Sequence, residues 1–414
     1  MTKIRISVEN LNQSGGLFTT PVWVAAHDGD FDIFDAGQEA SAGLEAIAED
    51  GNIAPLSEAF AAQQPNGEAT VVVGAQGVAG PIDPTEQAQA TLEIDDTAAQ
   101  RYLSYSAMII PSNDAFIGND DAKEIELFDE NGNFNGATSF VIAGDDVYDA
   151  GTEVNTEQDA AFINQTAPNT GIDENGVVSQ HQGFNGSEGH PGGEQIILGG
   201  TVASGDVIDP AAGDFTQDGF ELLKFHINQV NEISGSKHSD VILGDDRDDI
   251  VHAGRGHDLV LGQNGYDDLY GQNGNDILVG GNGNDLLDGG NGKDFLAGGN
   301  DNDRLFGGKG KDVLVGGNGN DYLDGGKGRN TLIGGEGYDT FNFDNTDNFA
   351  EIMDFTKGED VIELALLGID SFVDIFDNAR VIIDDGYTKF NFDSHDTLIV
   401  HSDGLLDAND FSFA

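Results

Sequence analysis

The sequence predicts an all-β chain in three parts: an antiparallel β-sandwich over residues 1–230, a parallel β-roll over 231–342 and a small β-rich cap over 343–414. Three observations lead there. A nine-residue unit repeats twelve times from Gly235 to Asn342 without insertion or deletion. The segment before it contains runs in which apolar and polar residues alternate, the period of a half-buried strand. The segment after it is dominated by Asp, Phe, Ile and Leu.

The first 230 residues are enough for a full sandwich core. Alternation marks strands at Lys3-Ile4-Arg5-Ile6-Ser7-Val8, Thr91-Leu92-Glu93-Ile94, Tyr102 to Ile110 and Leu222 to Ile227. One helix is expected from Ser41 to Asp50. Ser41 caps it, Gly51 ends it, and Leu44, Ile47 and Ala48 share a face. Trp23, the only Trp, alternates with Val22 and Val24 and reads as packing rather than as a ligand platform. Asp28, Asp30, Asp32 and Asp35 beside Phe31 and Phe34 read as solvated turn acids, with a weak cation site as the other reading. His181 and His190 fall in a Gly-rich polar loop with no third metal ligand nearby.

In the roll each unit follows Gly-Gly-x-Gly-x-Asp-x-U-x, with U large and apolar, as in Gly280-Gly281-Asn282-Gly283-Asn284-Asp285 followed by Leu287. The acid returns at Asp240, Asp249, Asp258, Asp267, Asp276, Asp285, Asp294, Asp303, Asp312, Asp321 and Asp339, and only Asn330 breaks the series. The apolar position runs from Ile242 to Phe341 without a gap, which a flexible linker has no reason to maintain. Six residues form a turn and three a strand. Glycine lets the turn bend tightly and face its carbonyls inward, beside the carboxylate. Oxygen ligands at this density suit Ca²⁺, which takes six to eight of them in loose geometry. Two units make one coil, so the roll holds about six coils and is roughly 30 Å long at the ordinary strand spacing. Ser236, Asp245 and Arg247 in the first two units, and Asp301 later, stand where the pattern has Gly. These turns are expected to bind weakly, and Asn330 to weaken its own site.

Formal net charge is −58, from 75 acidic and 17 basic residues. Such a balance argues against nucleic acid as a partner. It also opposes compaction unless cations intervene, which couples calcium to folding. There is no Cys, hence no disulfide. The opening Met1-Thr2-Lys3-Ile4-Arg5-Ile6-Ser7 reads as a strand, not a signal peptide, and no apolar run reaches transmembrane length. H-E-x-x-H, G-x-S-x-G and phosphate-loop motifs are all missing, so no enzymatic activity is expected.

The repeats resemble the RTX family of secreted calcium-binding β-rolls. The tail, with Asp354-Phe355, Gly358 to Leu364 and Asn409-Asp410-Phe411-Ser412-Phe413-Ala414, is similar to the segments that follow such rolls. That resemblance implies an uncleaved type I secretion signal in addition to a cap for the open end of the roll. In the first 230 residues, Pro21 to Asp28, Ser41 to Gly51, Met108-Ile109-Ile110-Pro111-Ser112-Asn113-Asp114 and Asp149-Ala150-Gly151-Thr152-Glu153 occur in the order seen in spondin domains. The resemblance implies an antiparallel sandwich with one loop calcium site, made here by Asp114, Asp149 and Glu153. The residues themselves favour the same site, since Asp149 and Glu153 stand four apart around Gly151, which can fold both carboxylates onto one cation; solvated loop acids are the other reading. Animal spondin domains often have Trp where this chain has Ala115, and they carry disulfides. Together these readings predict a secreted, extracellular, calcium-dependent protein. Its expected partners are several Ca²⁺ ions, the type I secretion machinery, and a matrix or cell-surface ligand for adhesion. The alternative to adhesion is self-association into a calcium-ordered layer, fibre or biofilm.

Overall fold

The structure is a computed structural model that describes residues 2–12, 17–74, 82, 86–95, 97–110, 115–150, 178–180, 220–344, 349–365, 369, 371–384, 386–392, 396–402 and 404–413. It divides into two compact units, Met1–Gln229 and Val230–Ala414.

The first unit is antiparallel. Strand Thr2–Asn10 lies between Gln87–Ile94 and Glu221–Ser236, with Ile6 opposite both Ala90 and Ile227. Thr138–Ala143 extends this sheet. In the second sheet Tyr102–Ile110 lies between Val22–His27 and Ala115–Gly118, and Glu68–Val72 and Val147–Asp149 continue it on either side. Ile4, Ile6 and Val8 from one sheet meet Val24, Leu103 and Tyr105 from the other in a single buried cluster, as the alternation predicts.

Val22–His27 is buried along its whole length because both faces are covered. Val22, Val24 and Ala26 face the sandwich core, while Trp23 and Ala25 enter a second cluster with the helices. The expected helix runs Ala42–Asp50. Ser41 accepts the N–H of Leu44 at 3.2 Å, Gly51 ends it at φ 63°, and Leu44, Ile47 and Ala48 are buried. A second helix, Ala54–Gln63, was not anticipated. It places Pro55 in the first turn, where no N–H is needed, and buries Leu56 and Phe60. Phe60 stands edge-on to Trp23 at 5.5 Å, so Trp23 is core. Asp28, Asp30, Asp32 and Asp35 are exposed around buried Phe31 and Phe34.

The second unit is a parallel β-solenoid. One sheet stacks Val241–Leu243, Leu259–Asn264, Ile277–Asn282, Phe295–Asn300, Val313–Asn318 and Lys327–Glu336. The facing sheet stacks Asp248–Gly256, Asp268–Tyr270, Leu286–Asp288, Arg304–Phe306, Tyr322–Asp324 and Thr340–Asp344. Pairing joins residues 18 apart, Leu278 with Leu296 and Leu287 with Leu305, so two units make one coil. The repeated apolar position fills the space between the sheets, and Leu269, Leu278, Leu287, Leu296, Leu305 and Leu314 are fully buried.

Coiling continues past Asn342. Phe349–Phe355 stacks on Lys327–Glu336 and Val361–Ala365 on Thr340–Asp344; Thr397–Ser402 and Phe411–Phe413 stack on these in turn. The hairpin of Ala379–Asp384 and Tyr387–Phe392 pairs antiparallel with Thr397–Ser402. Among the described residues no helix is long and apolar enough to cross a membrane.

Candidate metal centre

The turns of the roll place their Asp residues in two ladders, one on each edge. On one edge the backbone N–H of Asp240 donates to Oδ1 of Asp258. Asp258 donates likewise to Asp276, Asp276 to Asp294, and Asp294 to Asp312, at 2.7–2.9 Å. On the other edge the series is Asp249, Asp267, Asp285, Asp303, Asp321 and Asp339, at 2.7–3.0 Å. One carboxylate oxygen of each rung thus locks the neighbouring coil.

The second oxygen is different. Oδ2 of Asp258, Asp276, Asp285, Asp294, Asp303, Asp312, Asp321 and Asp339 is buried and receives no hydrogen bond. Leaving a buried carboxylate oxygen unsatisfied is expensive. In the turns from Asp276 onward the oxygen lies over the first glycine of its own turn. A Cβ on Gly280 would lie 2.1 Å from Oδ2 of Asp285 and 2.8 Å from the carbonyl oxygen of Gly298, one coil on. Gly262 and Gly316 repeat this arrangement with Asp267 and Gly280, and with Asp321 and Gly334. On the other edge the equivalent separations for Gly271 and Gly289 are each 2.9 Å to the carboxylate. Carboxylate and carbonyl oxygens therefore converge where glycine leaves room. Among the described residues no three His, Asp or Glu side chains come together, so the ligand set is one carboxylate with backbone carbonyls. Hard oxygen donors of this kind fit Ca²⁺ and not a soft metal.

Burial pushes the carboxyl pKa of Asp312 and Asp339 up to about 6, Asp294 and Asp321 to about 7, and Asp303 to about 9. Asp249, Asp276 and Asp285 are raised for the same reason. A divalent cation against Oδ2 supplies the charge that burial removes from solvent.

The ends of the ladders are closed without such a demand. Oδ2 of Asp240 accepts the N–H of Ser236, and Oδ2 of Asp249 that of Asp245. These are the two units with imperfect turns. At the other end Asn330 accepts the N–H of Asp312 through Oδ1 at 3.0 Å, while its Nδ2 donates to the carbonyls of Gly325 and Gly326 at 2.7 and 2.8 Å. The amide thus hydrogen-bonds the turn's own carbonyls. Asp360 ends the second ladder: it accepts from Asp339 at 3.0 Å and from Thr356 at 2.7 Å. Sequence reasoning missed Asp360 because it follows Asp339 by 21 residues rather than 18. Gly at the fourth turn position takes φ 110° at Gly283, and Asp301 at the same position takes φ 74°.

In the first unit, Asp149 ends strand Val147–Asp149, half-buried and opposite Ala115. Asp114 and Glu153, its expected companions, lie outside the described residues, as do His181 and His190. His27, which the sequence did not single out, is fully buried. Its Nδ1 accepts the N–H of Gly29 at 3.0 Å, which leaves Nε2 to donate to Ser104 at 2.9 Å, and burial lowers its pKa to about 4.

Comparison with known proteins finds one family match within each unit. Residues 18–181 match the family described as Spondin_N. Residues 234–269, 270–305 and 306–341 match the RTX calcium-binding nonapeptide repeat. Both families are typical of secreted proteins. No curated protein matches the chain. Among solved structures the extracellular lipase LipA from Serratia marcescens aligns at 16% identity with a TM-score of 0.23, covering 44% of this chain and 40% of the lipase, too little to bear on function. The chain is a calcium-binding spondin-domain protein with RTX repeats.

Proposed function

We propose that this is a secreted, non-enzymatic adhesion protein whose roll folds on calcium outside the cell and whose spondin domain binds a matrix or cell-surface ligand. The observation behind it is the pair of carboxylate ladders with unsatisfied Oδ2 atoms beside converging carbonyls. Such sites do not exist in an unfolded chain, so ion binding is folding free energy. Calcium is scarce in cytosol and abundant outside, which leaves the chain loose for export and ordered afterwards. The cap carries the type I secretion signal in this reading. Truncation after Ala365 is expected to retain the protein in the cell, and undiminished export would rule that role out.

Sedimentation velocity in EGTA and then in millimolar Ca²⁺ tests the main reading. A change from an expanded to a compact monomer is expected, followed by calcium-dependent retention on immobilised matrix. No change on adding calcium would sink it. One feature favours a second reading, calcium-ordered self-assembly. Val241, Leu243, Ile277 and Phe295 on the outer face of one roll sheet are 41–72% exposed, and an apolar face of this kind is where copies associate. Large species that grow with protein concentration, and that a Phe295→Glu variant abolishes, would favour it over adhesion.

A further inference from the structure

The two edges of the roll differ in charge. Turns on the edge of Asp294 and Asp312 present their third and fifth residues outward: Lys293, Lys309, Lys311, Lys327 and Arg329 are all exposed. Lys309 pairs in register with Lys327 and follows Asn291 in the same column. Lys293, Lys311 and Arg329 succeed one another at 18-residue intervals in the next column, each one coil further along. Lys237 and Arg255 occupy the third position in earlier coils of this edge and are also exposed. Seven of the 17 Lys and Arg residues of a chain with net charge −58 therefore stand on one edge of one element. The opposite edge carries no Lys. Its only Arg, Arg247, is held by Asp245 at 2.6 Å. In its third column Asn264, Asn282, Asn300 and Asn318 form a ladder of amide hydrogen bonds at 2.6 Å.

The basic stripe is more than a solvated face. Charge of one sign stacked at the strand spacing, roughly 4.8 Å, is self-repelling, and among the described residues none of the four lysines Lys293 to Lys327 has an ion pair to relieve it. Arg329 is steadied over the ring of Phe349 at 4.0 Å. The acids of these turns, Asp294 and Asp312, point inward into the ladder. Calcium there neutralises them, and the outward third and fifth columns themselves carry cations and no acid.

We propose that this edge binds a linear anionic polysaccharide. The stripe is narrow, two columns wide, and its spacing over two coils is about 9.6 Å, close to the rise of one disaccharide in an extended chain. In the same columns Oδ1 of Asn273 accepts from Asn291 at 3.4 Å and Oδ1 of Asn275 from the N–H of Lys293 at 2.9 Å, so the Nδ2 groups of Asn273 and Asn275 are the donors these columns can turn to sugar hydroxyls. Base recognition would call for aromatic platforms between the cations, and these columns have none. A duplex is also far wider than two columns of side chains, so most of its phosphates would face the acidic remainder of the chain. The inference rests on the calcium reading only for the folded state of the roll, which circular dichroism of the same samples reports separately.

The test uses the full chain in millimolar Ca²⁺, with dextran sulfate as probe, neutral dextran as control and a short DNA duplex as competitor class. Dextran sulfate should bind and dextran should not. With four cations engaged, affinity should fall about fiftyfold between 50 and 200 mM NaCl, by the counterion release seen on single-stranded polyanions. The Lys293→Gln, Lys309→Gln, Lys311→Gln, Lys327→Gln variant should keep its strand signal and bind at least about tenfold more weakly. Should that variant lose its fold, the Lys309→Gln, Lys327→Gln pair in a folded protein must still weaken binding about threefold or more. A folded variant that binds dextran sulfate as tightly as the parent overturns the proposal, as does a parent that does not bind it. Tighter binding of the duplex than of dextran sulfate overturns the choice of partner.

Discussion

Asn330 differs from the ladder aspartates by one atom type, and its hydrogen bonds show what that atom does. Its Nδ2 donates to the carbonyls of Gly325 and Gly326, so this turn is satisfied without an ion. Asn330→Asp removes both donations and buries a carboxylate oxygen in their place. The metal-free fold of the variant should be less stable by about 1–3 kcal/mol, read as weaker strand signal than the parent in EGTA at about pH 5, where the metal-free roll gains order, and in saturating calcium equilibrium dialysis should find one more ion bound. Equal strand signal for variant and parent in EGTA at that pH would show that the amide is not closing the turn. The glycines make a second case. Gly283 sits at φ 110°, and a Cβ there would lie 2.0 Å from the carbonyl oxygen of Gly265 in the coil before it. Both partners are backbone in a stacked coil and cannot move apart independently. Gly283→Ala should therefore lower stability by on the order of 3 kcal/mol in calcium. Gln272, a non-glycine at φ 68°, should respond in the opposite direction. Gln272→Gly relieves the left-handed conformation and should add about 1 kcal/mol in denaturant titrations.

Each ladder is also a titrating element. Burial holds the carboxyls of Asp294, Asp303, Asp312, Asp321 and Asp339 at about 6 to 9 in the metal-free fold, against 3.8 for an exposed Asp. Because the folded values are raised, the folded roll binds more protons than the unfolded chain between these limits. The penalty is absent below about 4, grows as pH rises, and is complete above the folded values. Metal-free protein should thus gain strand signal as pH falls from 8 towards 5. In calcium the same acidification should weaken the roll, since protons displace the ion. A metal-free sample indifferent to pH would contradict the burial of these groups. How much of this was legible in sequence depended on periodicity. Leu269 to Phe341 and the Asp series recur at fixed intervals, so roll, core and ligand type could all be read directly. Asp360 could not, since three extra residues between Asn342 and Asp360 break the period while leaving Ile362 stacked on Phe341. Helix Ala54–Gln63 escaped because its alanines and polar residues surround only two buried anchors. Val22–His27 is covered on both faces and so lacks the alternation that revealed Ile4, Ile6 and Val8. The charge stripe follows a period of 18, invisible when each nine-residue unit is compared with the next.

At the scale of the whole molecule, two explanations of calcium dependence make different predictions. With a net charge of −58, cations could act by screening repulsion between surface carboxylates, or by ligation inside the ladders. Screening is general: at 1 M NaCl the Debye length is about 3 Å, and any salt would compact the chain. Ligation is local. The unsatisfied Oδ2 atoms are buried, and monovalent salt in bulk water does little for a buried carboxylate. The two compact units also differ in their need for an ion. The sandwich cluster of Met1–Gln229 is built from apolar residues such as Ile6, Val24, Leu103 and Phe225. The core of the roll is one apolar residue deep per strand, flanked by carboxylates. Hydrogen exchange in EGTA should accordingly show the amides of Thr2–Asn10 and Tyr102–Ile110 protected while those of 258–339 exchange quickly. Adding 1 M NaCl should leave 258–339 unprotected, and millimolar Ca²⁺ should protect it. Recovery in NaCl alone would mean that screening, not ligation, folds the roll, and the ladders would then be a consequence of the stacked coil and not its cause. Loss of protection in both units together would mean that the sandwich cannot hold its fold without the roll.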